Sequence, residues 1–233
     1  MRVVVHLVDL DLPGPDLARL ASFLDDSERA RAASFRSPLD RARFGACHGW
    51  ARMALARELG VAPSEVPLVA PTDRKAWVAG TALRFCTSRS AGVAAIALSW
   101  SGDVGVDVEA IRDDPDPLRF ASRWYTPAER KIVEQAPPRL RSRRCLEIWT
   151  RKEAYLKATG VGLTVSPASV AVATDGLGPA RIDGWVLYQL AAGPRLAVAV
   201  AVRDHVLTDG SDWPPPPELC GLHLDGTPRP LAS

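Results

Sequence analysis

Residues 93–111 read VAAIALSWSGDVGVDVEAI and carry the clearest strand signals of the chain. Residues 93–98 form a short apolar run, and residues 104–111 alternate valine with glycine or an acidic residue, as a strand with one buried face does. A Ser-Gly-Asp turn at 101–103 joins the two runs. The pattern therefore predicts a β-hairpin near the middle of the chain.

On both sides of this segment, helix and strand signals alternate. Gly60 and Gly160 follow the two longest helical runs, as residues that end helices do. The order predicts an α+β fold in two similar halves that meet near residue 100, with subdomains at 1–101 and 102–210. We predict strands at 2–8, 185–190 and 196–202, helices at 19–35, 40–59, 118–124, 127–135 and 141–159, loop sequence at 113–117, and an extended proline-rich tail at 211–233.

The composition is that of an ordinary globular protein. With 233 residues, 47% hydrophobic and 24% charged, the chain can bury a substantial core. A net charge of +2 is too small to indicate a nucleic-acid binder, and no apolar run reaches the length of a membrane helix. The four cysteines lack the spacing of a zinc site and are expected to be small buried residues. The apolar start is too short for a secretory signal, so we expect a cytoplasmic protein.

Positive charge is concentrated in two places. Residues 29–57 contain seven arginines and one acidic residue, Asp40, and residues 139–144 contain four arginines. Solvated helix faces would explain both runs. A surface that attracts an anionic ligand or an acidic partner would explain them as well.

The segment GVDVE, residues 105–109, contains two acidic residues that could bind a metal ion. Alternate side chains of a strand share a face, so Asp107 and Glu109 point the same way. Neighbouring carboxylates repel unless a cation or water separates them, and oxygen ligands of this kind suit Mg²⁺. Solvated residues at the edge of a sheet would give the same pattern.

Two further segments offer polar side chains. In WTRKEAYLKATG, residues 149–160, helical spacing places Trp149, Glu153 and Lys157 on one face. An exposed glutamate–lysine pair is the simpler interpretation, although a tryptophan favours a buried face. FCTSRS at 85–90 offers hydroxyl and guanidinium donors to a phosphate, as an ordinary loop also would.

Together these segments resemble the 4′-phosphopantetheinyl transferases of the Sfp type. GVDVE is similar to the first signature of that family and WTRKEAYLK to the second, both without a gap, and RWYTPAE at 123–129 fits as well. The resemblance extends over about residues 1–205. The family turn usually reads FNxSHS, and here Arg89 replaces the histidine. Arginine also donates to phosphate and remains charged at physiological pH. The sequence DRKAW around Lys75 departs from the family pattern too.

The resemblance implies a fold and a substrate. It implies a pseudo-twofold pair of α/β subdomains, each a small, mainly antiparallel sheet with helices, and coenzyme A in the cleft between them. Arg43 and Lys75 would hold the 3′-phosphate of coenzyme A, while Ser88 and Arg89 would reach its phosphates. Lys157 would bind and neutralise the diphosphate.

The resemblance also implies a metal and a catalytic base. Asp107, Glu109 and Glu153 would hold Mg²⁺, or Mn²⁺ in its place. Glu153 would take the proton of the attacking hydroxyl, and Lys157 would stabilise the leaving phosphate.

The implied reaction transfers 4′-phosphopantetheine from coenzyme A to a serine of an acyl or peptidyl carrier protein and releases adenosine 3′,5′-bisphosphate. The length and two-half layout resemble the monomeric branch of broad specificity, so polyketide or nonribosomal peptide synthesis is expected. Neither nucleic acid nor membrane is an expected partner. Two alternatives stay open. One is a non-catalytic protein that binds coenzyme A or a carrier protein, which Arg89 would suggest, and the other is a different metal-dependent phosphoryl enzyme such as a nuclease.

Overall fold

The computed structural model describes residues 3–71, 75–112, 116–161, 164–173, 177–204, 217–222 and 228–229. Within these ranges the chain is an α+β protein with several small sheets. The helices are α1 (Gly14–Ser22), α2 (Asp26–Ala33), α3 (Pro38–Leu59), α4 (Pro117–Trp124), α5 (Pro127–Gln135) and α6 (Arg141–Thr159). The strands are β1 (Val3–Asp9), β2 (Leu68–Val69), β3 (Trp77–Val78), β4 (Arg84–Ser90), β5 (Val93–Ser99), β6 (Val104–Ala110), β7 (Ala180–Ile182), β8 (Trp185–Leu190), β9 (Leu196–Arg203), β10 (Glu218–Leu222) and β11 (Pro228–Arg229). None of the described helices combines the length and apolar content needed to cross a membrane.

Local capping sets the helix boundaries. The side chain of Ser37 accepts a backbone hydrogen bond at the start of α3, and Thr126 forms a capping box at the start of α5. Gly60 and Gly160 have φ angles of 69° and 72°, the left-handed conformation that ends α3 and α6. The predictions for α3, α4, α5 and α6 are confirmed, because these signals lie within the segments themselves.

The first sheet has the strand order β11–β10–β1–β5–β4. β5 pairs antiparallel with β1 on one side and with β4 on the other. β10 pairs parallel with β1, with Val4 opposite Glu218. Strands that are far apart in the sequence therefore lie next to each other in this sheet. β2 and β3 form a separate antiparallel pair.

The second sheet has the order β6–β9–β8–β7 and is antiparallel throughout. A buried apolar cluster, which includes Val5, Val106 and Val200, joins residues of both sheets. Helix α3 packs on the first sheet through a second cluster, and α6 packs on the second sheet through a third. Each sheet thus has a long helix on the face that does not contact the other sheet.

Helix α6 packs tightly against strand β6 at Gly105. A Cβ atom at this position would lie 2.0 Å from the carbonyl oxygen of Ala154 and 2.5 Å from the amide nitrogen of Ala158. Backbone atoms cannot move away easily, so only glycine permits this packing. Alternate residues of a strand share a face, and Asp107 and Glu109 therefore face α6 as Gly105 does.

The predicted hairpin between residues 93–98 and 104–111 is wrong. Both strands exist, but β5 pairs with β1 and β4 in the first sheet, whereas β6 pairs with β9 in the second. The Ser-Gly-Asp turn carries the chain from one sheet to the other. The residues of a turn determine only the local backbone conformation. They do not determine which distant strands pair with the strands before and after the turn.

Two other predictions need correction. The single helix at 19–35 is wrong, because Asp25 and Glu28 form a capping box that starts α2 as a separate helix after α1. The tail at 211–233 contains strand β10, which belongs to the first sheet. Residues 113–115 of the predicted loop and residues 211–216, 223–227 and 230–233 of the tail lie outside the described residues. The pseudo-twofold relation and the subdomain boundaries stay predictions.

Candidate functional site

Strands β4 and β6 lie side by side and bring two sequence segments together. Ser88 Oγ donates to Asp107 Oδ1 at 2.6 Å, and Ser90 Oγ donates to Glu109 Oε2 at 2.5 Å. The backbone amide of Ala110 donates to Ser90 Oγ at 3.2 Å. Both serine–acid pairs are separated by 19 residues, so the strands run in the same direction in a constant register. FCTSRS and GVDVE therefore form one polar seam.

Lys157 of helix α6 contacts this seam. Its Nζ donates to Asp107 Oδ1 at 2.6 Å and to Ser88 Oγ at 2.9 Å. Burial lowers the pKa of Lys157, but the Asp107 carboxylate beside it more than compensates, so the pKa is raised. The ammonium group is therefore positively charged at neutral pH and fixed between a strand of each sheet.

Three carboxyl groups interact electrostatically at the same place. Burial raises the pKa of Asp107, although Lys157 and Ser88 act in the opposite direction. Burial also raises the pKa values of Glu109 and Glu153, and the charge of Asp107 adds to both effects. Like charges in a partly buried site favour protonation or a bound cation. The structure thus brings residues 107, 109, 153 and 157 into one electrostatic cluster.

The carboxyl groups have the chemistry of a divalent-cation site but not its ligand geometry. Within the described ranges, no three Asp, Glu, His or Cys side chains are arranged to hold a metal ion. Asp107 Oδ2 is nevertheless buried without a hydrogen-bond partner in this part of the chain. A buried carboxylate oxygen of this kind is costly unless a ligand satisfies it. A carboxylate oxygen is a ligand that hard cations prefer, and the raised pKa values of Glu109 and Glu153 also favour a bound cation.

A cavity of about 350 Å³ opens beside the contact between Ser88 and Lys157. Basic and aromatic side chains line it, and we call it the cationic pocket. Its basic residues are Arg31 from α2, Arg89 from β4 and Lys157 from α6, and its aromatic residues are Phe35, Phe44 and His48. Guanidinium and ammonium groups that converge on a small cavity suit a phosphate.

Two predicted phosphate ligands lie elsewhere. Arg43 donates two hydrogen bonds of 2.7 Å to the carboxylate of Asp11 and is not among the residues that line the cationic pocket. Lys75 Nζ donates to the carbonyl oxygen of Val104 at 2.6 Å, at the beginning of β6. The structure therefore does not bring either residue into the pocket that contains Arg89.

Sequence reasoning did not single out Arg31 or Ser90. Arg31 lies inside the arginine-rich run at 29–57, but the sequence does not show which of those arginines faces the site. Ser90 could have been found, because the spacing of two residues between Ser88 and Ser90 matches the spacing between Asp107 and Glu109.

Helix α6 is held in place by contacts away from the seam. Trp149 packs edge-on against Phe120, with ring centroids 5.1 Å apart, which explains a tryptophan on the same face as Glu153. Lys152 Nζ lies 2.7 Å from Glu129 Oε2, and both side chains are fully buried. Breaking such a pair would leave an uncompensated charge, so α6 is firmly attached to α5. These contacts fix the position of Glu153 and Lys157.

The sequence pattern of the 4′-phosphopantetheinyl transferase superfamily matches residues 103–208, which include the acidic cluster and Lys157. The chain is also 32% identical over 220 residues to the 4′-phosphopantetheinyl transferase HetI of Nostoc sp., and the match covers 91% of this chain and 90% of HetI. The chain therefore belongs to the 4′-phosphopantetheinyl transferase superfamily.

Other relatives differ in how much of the chain they share. The 4′-phosphopantetheinyl transferase AcpT of Salmonella typhi is 34% identical over 109 residues, which cover 47% of this chain and 56% of AcpT. The L-aminoadipate-semialdehyde dehydrogenase-phosphopantetheinyl transferase of Schizosaccharomyces pombe is 27% identical over 190 residues, 71% of each chain. The family resemblance predicted from the sequence is confirmed, and the Sfp type within it stays a prediction.

Proposed function

We propose that this protein transfers the 4′-phosphopantetheine group of coenzyme A to a serine of an acyl or peptidyl carrier protein and releases adenosine 3′,5′-bisphosphate. The observation that carries the proposal is the Lys157 ammonium group, held between Ser88 and Asp107 at the edge of the cationic pocket. A fixed cation next to a cavity lined by guanidinium groups and next to an acidic cluster suits phosphoryl-group chemistry. Membership of the superfamily supports the same reaction.

The cationic pocket is proposed to bind a phosphate group of coenzyme A. Arg31 and Arg89 are exposed side chains at the pocket, and Lys157 lies between the pocket and the seam. Ser88 lines the pocket as well. We propose Arg31 as a phosphate ligand in addition to Arg43, to which the family resemblance assigns the 3′-phosphate. Lys75, whose Nζ donates to the carbonyl oxygen of Val104, also stays a proposal for the 3′-phosphate.

Glu153 and Lys157 are proposed as the catalytic residues. The carrier serine oxygen forms a bond to the phosphorus on the pantetheine side, and the bond from that phosphorus to the bisphosphate oxygen breaks. Glu153 accepts the serine proton. Lys157 stabilises the negative charge that develops on the leaving bisphosphate.

Asp107, Glu109 and Glu153 are proposed to hold Mg²⁺, with Mn²⁺ as a possible substitute. Asp107 Oδ2, which lacks a hydrogen-bond partner among the described residues, and the raised pKa values of Glu109 and Glu153 support this assignment. When bound, the ion would offset negative charge on the diphosphate. Without it, the same three carboxyl groups repel one another.

The carrier protein and pathway are proposed from the layout of the chain. The exposed arginines within residues 29–57 and 139–144 would attract an acidic carrier, so the association rate should fall as salt is added. Polyketide or nonribosomal peptide synthesis is the proposed context. We further propose a cytoplasmic monomer, in keeping with the two-half layout that the sequence predicts.

Mass spectrometry of candidate carrier proteins tests this function. Each carrier is incubated with the protein, coenzyme A and Mg²⁺, and the added arm and the released adenosine 3′,5′-bisphosphate are both measured. Glu153→Gln should reduce the rate about 10²- to 10⁴-fold. Glu134→Gln, an exposed position on α5, should keep the rate of the unchanged protein. Folded protein that binds coenzyme A but modifies none of the carriers, or a fully active Glu153→Gln variant, would contradict the proposal.

A further inference from the structure

We propose that Phe35 and Phe44 are positioning residues that hold the Arg89 guanidinium group in the cationic pocket. The inference rests on the proposed function, because it assigns the two rings a part in binding the nucleotide phosphates. We call the two rings the aromatic seat. Neither ring carries a polar atom that could bind a phosphate itself.

Arg89 lies over both rings of the seat. Its guanidinium carbon is 5.3 Å from the ring centre of Phe35 and 5.4 Å from that of Phe44. These distances are within the range of cation–π attraction. Within the described part of the chain, the Arg89 guanidinium group forms neither an ion pair nor a hydrogen bond. Its donors are therefore available to a ligand while its face rests on the rings.

The seat brings a second cation to the same place. The guanidinium carbon of Arg31 lies 5.6 Å from the ring centre of Phe35, so Phe35 contacts both arginines. Two guanidinium groups at one ring repel each other, and a doubly charged phosphate between them would relieve the repulsion. The arrangement thus favours an anion with more than one negative charge.

The seat is attached to a buried framework. Phe44 stacks on the His48 ring with centroids 4.1 Å apart, and His48 Nδ1 lies 2.9 Å from Glu28 Oε1. Glu28 Oε2 accepts a 2.6 Å hydrogen bond from Arg52 Nε, and both of these side chains are buried. If the Phe44 ring turned away, it would lose its stack on a histidine that is itself held by a buried ion pair. An arginine that rests on a fixed ring is organised for binding before the ligand arrives, which reduces the entropy lost on association.

Calorimetric titration with adenosine 3′,5′-bisphosphate, the proposed product, tests the inference. The proteins compared are the unchanged chain, Phe44→Leu, Arg89→Met and the double variant. Methionine is chosen at position 89 because it has about the length of the aliphatic part of arginine but carries no charge. Phe44 contacts Arg89, whereas Phe35 contacts both arginines, so Phe44 is the cleaner probe. Phe35→Leu, at a half-buried position, provides a second seat variant if Phe44→Leu unfolds. Phe23→Leu, at another half-buried phenylalanine of the same half, is the matched control.

Phe44→Leu should weaken binding about two- to fivefold when Arg89 is present and leave the affinity unchanged when residue 89 is methionine. Equal weakening in both backgrounds, or none in either, overturns the inference and leaves the proposed function standing, provided that the unchanged protein binds the nucleotide. If the unchanged protein does not bind adenosine 3′,5′-bisphosphate, the proposed function fails first and the inference fails with it. Weakening by Phe23→Leu equal to that by Phe44→Leu also overturns the inference.

Discussion

Replacing Lys157 with methionine is expected to lower the free energy of unfolding by about 3 kcal/mol near pH 7. Lys157 donates to both Asp107 and Ser88, and the Asp107 side chain is 5% exposed. Removing one partner of a fully buried ion pair costs about 3–5 kcal/mol. The Lys157 side chain is 30% exposed, so the expected loss lies at the lower end of that range. Methionine has a similar length, and the packing should change little.

The expected loss depends on pH through Asp107. In the variant, Asp107 loses its cationic partner, and its Oδ2 atom already lacks a hydrogen-bond partner among the residues that the structure describes. Its raised pKa should therefore rise further. A carboxyl group with a raised folded-state pKa binds its proton more tightly in the folded state than in the unfolded state. Its contribution to stability is therefore present below the unfolded pKa of about 4 and is lost as the pH rises through the folded value. The difference between variant and unchanged protein should thus shrink towards acidic pH.

Urea denaturation at pH 7 and at lower pH, in the presence of EDTA, measures this difference. In an Asp107→Asn background, Lys157→Met should cost about 2 kcal/mol less than in the unchanged protein. Lys131→Met, at an exposed position on α5, should change stability by less than about 0.5 kcal/mol. A loss below about 1 kcal/mol for Lys157→Met, or the same loss in both backgrounds, would refute the proposed role of the Lys157–Asp107 contact.

Two further predictions follow from the fold. Gly105→Ala should lower stability by about 3 kcal/mol or more and slow the transfer reaction, because the new Cβ would push α6 away from β6. Gly45→Ala, where no atom lies within 4 Å of the new Cβ, should leave stability unchanged or raise it by about 0.5–1 kcal/mol in thermal melts. A chain cut after residue 204 lacks β10 and exposes the edge of β1, so it should aggregate when light scattering is measured. Unchanged melting of Gly105→Ala, or a monodisperse truncated chain, would contradict these expectations.

The positions of α3 to α6 and the acidic segments could be predicted from the sequence because their signals are local. Gly160 ends α6, Thr126 starts α5, and the spacing of Glu153 and Lys157 places them on one helical face. The family signatures include Asp107 and Glu109, and the family match supports that interpretation. The position of a residue on its own helix or strand can be predicted from the sequence of that helix or strand alone.

Strand pairing and the composition of the cationic pocket could not be predicted in the same way. The turn at 101–103 suits a hairpin, but β5 and β6 pair with strands that are remote in the sequence. Arg31 and Arg89 meet only because α2 and β4 both reach Phe35. Such contacts depend on tertiary packing, which competes with local propensity and often overrides it.

The parallel pairing of β10 with β1 has a consequence for how the chain folds. Cys220 Sγ lies 3.2 Å from His6 Nδ1, a contact between positions 214 residues apart. During synthesis, β1 therefore emerges long before its parallel neighbour, and one of its edges stays unpaired until residue 222 has left the ribosome. Pairing with β5 covers only the opposite edge of β1, so the half of the protein that is made first is completed last.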